Sequence, residues 1–180
     1  MENLVSIVFI DSTIEDKESL IAGVVAGTEV VILNSNLDGV KQITYFLADR
    51  AGISHIHIVS HGTPGSLQLG SASLNLTNLD NYTHELQQWG SALTNEGNIF
   101  LYGCAVAAGE RGADFVNQLS QLTGAVIAAS INPTGNAEKG GNWELEYTTG
   151  NANTYLAFEP AVLAAYSFIF SETNETGLPH

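Results

Sequence analysis

The chain has 180 residues, of which 44% are hydrophobic and 13% charged, and 19 acidic against 5 basic side chains give a formal charge of −14. That length suits one domain burying about 70% of the surface its unfolded chain exposes, and so apolar a composition excludes intrinsic disorder. So few Lys and Arg argue against nucleic acid and anionic membranes as partners, while the acidic surface is either a solubility device or an attraction for cationic peptides or Ca2+.

In chain order, short runs rich in β-branched and other apolar residues alternate with amphipathic stretches. Residues 4–10, 28–33, 53–60, 97–103 and 125–129 read as strands buried on both faces, because their apolar character is nearly continuous. Residues 13–26, 38–51, 78–93 and 106–123 read as helices, the last with Phe115, Leu119 and Leu122 at helical spacing. Asp11-Ser12-Thr13 is expected to cap the first helix, Thr77-Asn78 to open the third, and Gly52 and Gly124 to end the second and fourth. After His61-Gly62, the Thr63-Pro64-Gly65 turn and Leu67, Leu69, Leu74 and Leu76 around Gly70-Ser71 predict a small hairpin over the strand ends. A long loop from Asn132 to Asn142 leads to one more strand, Trp143 to Thr148. Strict alternation of strand and helix predicts an α/β three-layer sandwich with a mainly parallel central sheet over residues 1–150. Residues 151–180 then hold a docking helix or strand, Phe158 to Phe170, and a tail from Ser171 to His180.

Cys104 is the one cysteine, which excludes an internal disulfide and any zinc site built from several cysteines. The N-terminus lacks the basic region and cleavage site of a signal peptide, and no apolar run reaches the ~18 residues of a membrane span, so neither is expected.

Two apolar segments end in reactive side chains: Ile56-His57-Ile58-Val59-Ser60-His61-Gly62 and Ile99-Phe100-Leu101-Tyr102-Gly103-Cys104. Ligand crevices of open parallel sheets lie at the carboxyl ends of the strands, so neighbouring strands would bring a base and a thiol together there. A neighbouring His lowers a thiol's pKa or takes its proton, and Gly103 and Ala105 leave backbone N–H groups accessible to a carbonyl. Three other readings compete with this one. A lone Cys at a strand end is commonly an inert core residue. His55, His57 and His61 share strand parity, and with Cys104 they resemble a metallo-hydrolase cluster, although Val59 stands where an acidic ligand is expected. A hydrolase nucleophile elbow needs small residues where Tyr102 and Val106 stand. The dyad reading needs neither metal nor other cofactor.

With His-Gly ending one strand and Gly-Cys ending a later one, the chain resembles the caspase-like cysteine peptidases of clan CD. The blocks Val59–Gly65, Leu101–Gly109 and Gly140–Glu146 look more closely like an uncharacterised domain found toward the N-terminus of very large, repeat-containing bacterial surface proteins. The resemblance implies a caspase-like fold and a cysteine endopeptidase acting on a peptide or protein, including its own longer chain, in a secreted or surface setting. It assigns His61 as general acid/base, Cys104 as nucleophile, and the N–H groups of Gly62 and Cys104 as the oxyanion hole. It also suggests Asp11, Ser130 and Trp143 as substrate-binding residues. Against these stand a helix cap for Asp11, a core anchor for Trp143 and a surface ion pair for Glu110 and Arg111. The sequence lacks the caspase Gln-Ala-Cys-x-Gly motif and a pair of arginines for a substrate aspartate. The competing class is a catalytically silent attachment or assembly module.

Overall fold

The computed structural model describes residues 5–152 and 156–170. Its centre is a six-stranded sheet of β1 (Ser6–Asp11), β2 (Glu29–Leu33), β3 (Ile53–Val59), β7 (Leu93–Tyr102), β8 (Val126–Ala129) and β9 (Tyr147–Thr148), in the order β2-β1-β3-β7-β8-β9. Every pairing is parallel except β8 with β9, so the expected α/β class with a mainly parallel sheet stands. The hairpin is present as β4 (Gly62–Thr63), β5 (Ser66–Leu69) and β6 (Ala72–Asn75), a separate antiparallel sheet turning at Gly70, whose φ is +59°.

Strand parity divides the sheet into two unlike faces. One carries Ile7, Phe9, Ile56, Ile58, Ile99, Leu101 and Ile127 in a single aliphatic core with the buried faces of α2 (Gly39–Leu47), α3 (Thr83–Ala92) and α4 (Gly109–Thr123). The other carries Val8, Ile10, Val59, Phe100 and Tyr102, packed with residues of the short helices α1 (Lys17–Ala22) and α5 (Pro160–Ala165) and of extended chain up to Phe170. Strand order runs outward in opposite directions from the β1/β3 junction. Right-handed crossovers therefore put α1 on one face and the later helices on the other.

Several boundaries differ from expectation. The first helix spans only 17–22 and starts after Asp16 rather than at Asp11, because Asp11 is committed elsewhere. The second ends at Leu47, before Gly52, whereas Gly124 does close α4 with φ +75° and its N–H on Ser120 O at 2.8 Å. Residues 79–82 form a 3-10 turn ahead of α3, and β7 begins as early as Leu93. Only 147–148 of the expected 143–148 strand pair with the sheet. Residues 158–170, expected as a docking helix or strand, comprise α5 and then an extended segment; the Ser171–His180 tail lies outside the described residues.

Candidate active site

His61 and Cys104 leave the sheet side by side. β3 and β7 are neighbours with Val59 opposite Tyr102, and Ser60 N donates to Tyr102 O at 3.1 Å, so the two chains exit in step. Beyond that point Gly62 turns into the hairpin and passes against the loop of Cys104. A Cβ on Gly62 would sit 2.6 Å from Val106 Cγ2 and 3.3 Å from Cys104 N, a space only glycine fits. Ala105 holds φ +53°, a conformation L-residues seldom adopt away from functional turns. Ala105 N and Ala107 N donate to Asn132 O and Ser130 O at 3.0 and 2.9 Å, which stitches this turn to the loop after β8.

Hydrogen bonding selects the tautomer of His61. Nε2 lies 3.3 Å from Thr13 O, which can only accept, so Nε2 carries a proton on that bond. Glu15 Oε1 is 3.8 Å from the same Nε2. Nδ1 is buried and has no hydrogen-bond partner among the described residues, although the ring as a whole is 8% exposed. Cys104 is 6% exposed, and Thr134 N donates to its Sγ at 3.3 Å. Burial pushes the thiol up from its ordinary value, and the backbone N–H groups of Thr134 and Phe170 pull it part of the way back. Among the described residues no hydrogen bond joins His61 to Cys104. Cys104 is thus a buried thiol whose strand end adjoins that of His61.

A third element completes the site, and nothing local in the sequence marks it. After α5 the chain runs extended from Tyr166 to Phe170 and pairs with the loop after β8. Asn136 N donates to Phe168 O and Phe170 N to Thr134 O, both at 2.9 Å, with Gly135 and Ile169 as antiparallel bridge partners. Gly62 N donates to Phe170 O at 3.3 Å. The start of the segment is fixed by Asn136 Nδ2 on Tyr166 O at 2.7 Å and by Tyr166 Oη on Glu15 O. Gly135, at φ +133°, permits this approach, since a Cβ there would lie 2.3 Å from Phe168 O.

The other expected site residues are held by the protein itself. Asp11 is 0% exposed; its Oδ1 accepts from Thr13 N and Oγ1 at 3.0 and 2.6 Å, and its Oδ2 from Gly70 N at 2.6 Å. It ties the loop after β1 to the hairpin tip, and both oxygens are engaged. Ser130 is buried at the end of β8 and donates to Asn132 O at 2.6 Å. Trp143 packs edge-on against Tyr166 and Phe170 at 5.7 and 5.4 Å, and its Nε1 donates to Leu163 O at 3.1 Å. It therefore touches the segment that reaches Gly62. The same indole, with Phe100, Tyr102, Leu145 and Leu156, lines a cavity of about 480 Å³ that neither His61 nor Cys104 borders. Glu110 and Arg111 are exposed and form no ion pair with each other among the described residues.

The histidines of the competing metal reading face the core. His55 bonds Ser6 Oγ at 3.1 Å, and His57 is fully buried and stacked on Phe100 at 4.9 Å, with burial and then the neighbouring His55 lowering its pKa to about 3. Among the described residues no three His, Cys, Asp or Glu side chains are arranged to hold a metal ion.

A family model described as a domain of unknown function, DUF4347, matches residues 7–170. No curated protein matches the chain. One solved structure, a small-chain dehydrogenase, is similar at 9% identity and a TM-score of 0.36, over 67% of this chain and 78% of that one. No helix among the described residues is long and apolar enough to cross a membrane.

Proposed function

The chain belongs to the DUF4347 family, and from that premise we propose that it is a cysteine endopeptidase of caspase-like architecture that cuts within its own longer chain or a neighbouring surface protein. The observation that carries the reading is the convergence, at the ends of adjacent parallel strands, of the Cys104 thiol, the Gly62 N–H and a His61 ring whose buried Nδ1 is available. Each group has the role its chemistry suits. His61 Nδ1 takes the thiol proton as sulfur attacks a peptide carbonyl, and Thr13 O and Glu15 hold the resulting imidazolium. The carbonyl oxygen, now bearing charge, is held by the Gly62 N–H, with the Cys104 N–H as its partner donor. His61 then protonates the leaving amine and later activates the water that hydrolyses the thioester.

A silent attachment module is the second reading, favoured by the same thiol's burial and raised pKa. Labelling the folded chain with iodoacetamide across pH separates the two. A working pair predicts that His61→Ala slows alkylation of Cys104 by about tenfold or more, since base assistance is worth roughly 100- to 10,000-fold in proton transfer. Equal rates in wild type and variant would leave the silent module.

A further inference from the structure

We propose that Glu146 is a positioning residue of the site: its carboxylate clamps the loop after β8 and so fixes the turn that presents the Cys104 sulfur and N–H. This rests on the peptidase reading above and adds the group that holds the nucleophile in place for it.

The Cys104 turn lies beyond the end of β7 and is held from outside the sheet. Ala105 N and Ala107 N donate to Asn132 O and Ser130 O, and Cys104 Sγ accepts from Thr134 N at 3.3 Å. Those partners all lie in the stretch 130–134, which belongs to no helix or named strand. With Ala105 at φ +53°, the turn keeps its shape only while that loop keeps its own.

Glu146 reaches the loop from the opposite side. β8 and β9 pair antiparallel with Ala129 opposite Tyr147, so the next step along puts Glu146 across from Ser130. Oε1 accepts from Ile131 N at 3.1 Å, with Ser130 Oγ at 3.4 Å, and Oε2 accepts from Asn132 Nδ2 at 2.7 Å and Asn142 Nδ2 at 3.5 Å. Ile131 sits between the two residues whose carbonyls hold Ala105 and Ala107, and Asn132 is one of them. Asn142 comes from the far end of the loop and binds it back, donating its N–H to Pro133 O and accepting from Gly135 N at 2.9 and 3.0 Å. One carboxylate therefore closes the loop at both ends around Thr134.

The position calls for a carboxylate. The groups that face it are donors, and among the described residues no Lys or Arg pairs with it. An ionised carboxylate accepts at both oxygens, whereas an amide in its place would turn an NH2 toward the Asn132 NH2 or toward Ile131 N–H. Burial pushes the Glu146 carboxyl up, but the donors Asn132, Ile131 and Asn142 carry it below its ordinary value.

The test compares the full chain with Glu146→Gln, with Glu144→Gln as a neighbouring control, and with Glu146→Gln combined with Asn132→Asp, each with and without His61→Ala. In the combined variant the side-chain donor and acceptor trade places while Oε1 still faces Ile131 N. Amide hydrogen exchange at Ala105 and Ala107 and iodoacetamide labelling of Cys104 are the two readouts. Glu146→Gln is expected to speed exchange at both amides by about tenfold or more, the loss of one hydrogen bond to a charged group. It is also expected to cut the His61 dependence of labelling from about tenfold to about threefold or less, because the sulfur is no longer aimed. The combined variant restores both, and Glu144→Gln changes neither. Unchanged exchange at Ala105 and Ala107, faster exchange with the His61 dependence intact, or a combined variant that restores nothing each overturns the positioning role and leaves the peptidase reading standing. Wild-type labelling that does not depend on His61 overturns that reading instead, and amide exchange alone then decides whether Glu146 holds the turn.

Discussion

The two faces of the central sheet are built on different plans. On one, α2, α3 and α4 cover an aliphatic surface and Trp89 sits fully buried among them, its Nε1 donating to Thr44 Oγ1 at 2.8 Å. On the other, two six-residue helices and an extended segment cover a surface that carries His57, Phe100 and Tyr102. Regular helices satisfy their own backbone, which makes the first face a good support and leaves it few free donors. Extended chain and turns present N–H and C=O groups outward, and the contacts around Cys104 use them: Gly62 N, Thr134 N and O, Phe170 N and O. Regular and irregular cover have been divided between the faces of one sheet.

The comparison breaks most sharply at Trp89. Trp89→Ala removes a large buried side chain and its hydrogen bond, and is expected to cost about 3–5 kcal/mol in urea unfolding while leaving the His61 dependence of labelling unchanged in the folded protein. A change in that dependence as large as the one caused by altering the Cys104 side would show that the faces are not separable.

Acid sensitivity is the next largest effect, and it belongs to the irregular face. His57 has its folded-state pKa held near 3, below the 6.5 of an unfolded histidine. Above pH 6.5 both states are neutral there. As pH falls from 6.5 toward 3 the unfolded chain takes up a proton that the folded one refuses, so stability declines through that window, by on the order of 4 kcal/mol for this group. His57→Phe is expected to flatten that acid limb, read from unfolding midpoints between pH 7 and pH 4. An unchanged limb would place the titration elsewhere.

The smallest effect tests the segment. Gly135→Ala puts a methyl group against Phe168 O and Ile169 Cα and forces an L-residue to φ +133°. We expect a loss of about 1–3 kcal/mol. Displacing the segment is also expected to speed iodoacetamide labelling of Cys104, which that segment helps to cover. Slower or equal labelling would mean that Tyr166–Phe170 does not govern access to the sulfur.

The strand runs were legible because buried parallel strands are apolar throughout, and the hairpin because its leucines alternate across a glycine turn. The run that placed His61 beside Gly62, and the one that placed Cys104 after Gly103, correctly marked two strand ends, since crevices form there whatever the loops do. Helix boundaries were less legible. Asp11 has the composition of a helix cap, but its carboxylate answers to Gly70, a partner remote in sequence, and the first helix shortens accordingly. Trp143 read equally well as an anchor or a contact residue, and it packs on the Tyr166–Phe170 segment.

The amino-acid sequence determined the α/β class, the mainly parallel sheet and the placement of His61 and Cys104 at strand ends, because hydrophobic periodicity and strand-end placement are local properties. Tertiary structure alone decided that β3 and β7 are neighbours, that Thr13 O fixes the proton of His61 on Nε2, and that Phe170 brings its carbonyl to Gly62. Each of those rests on hydrogen bonds to backbone groups distant along the chain. Every residue carries the same backbone donor and acceptor, so nothing in the side-chain order announces which two will meet.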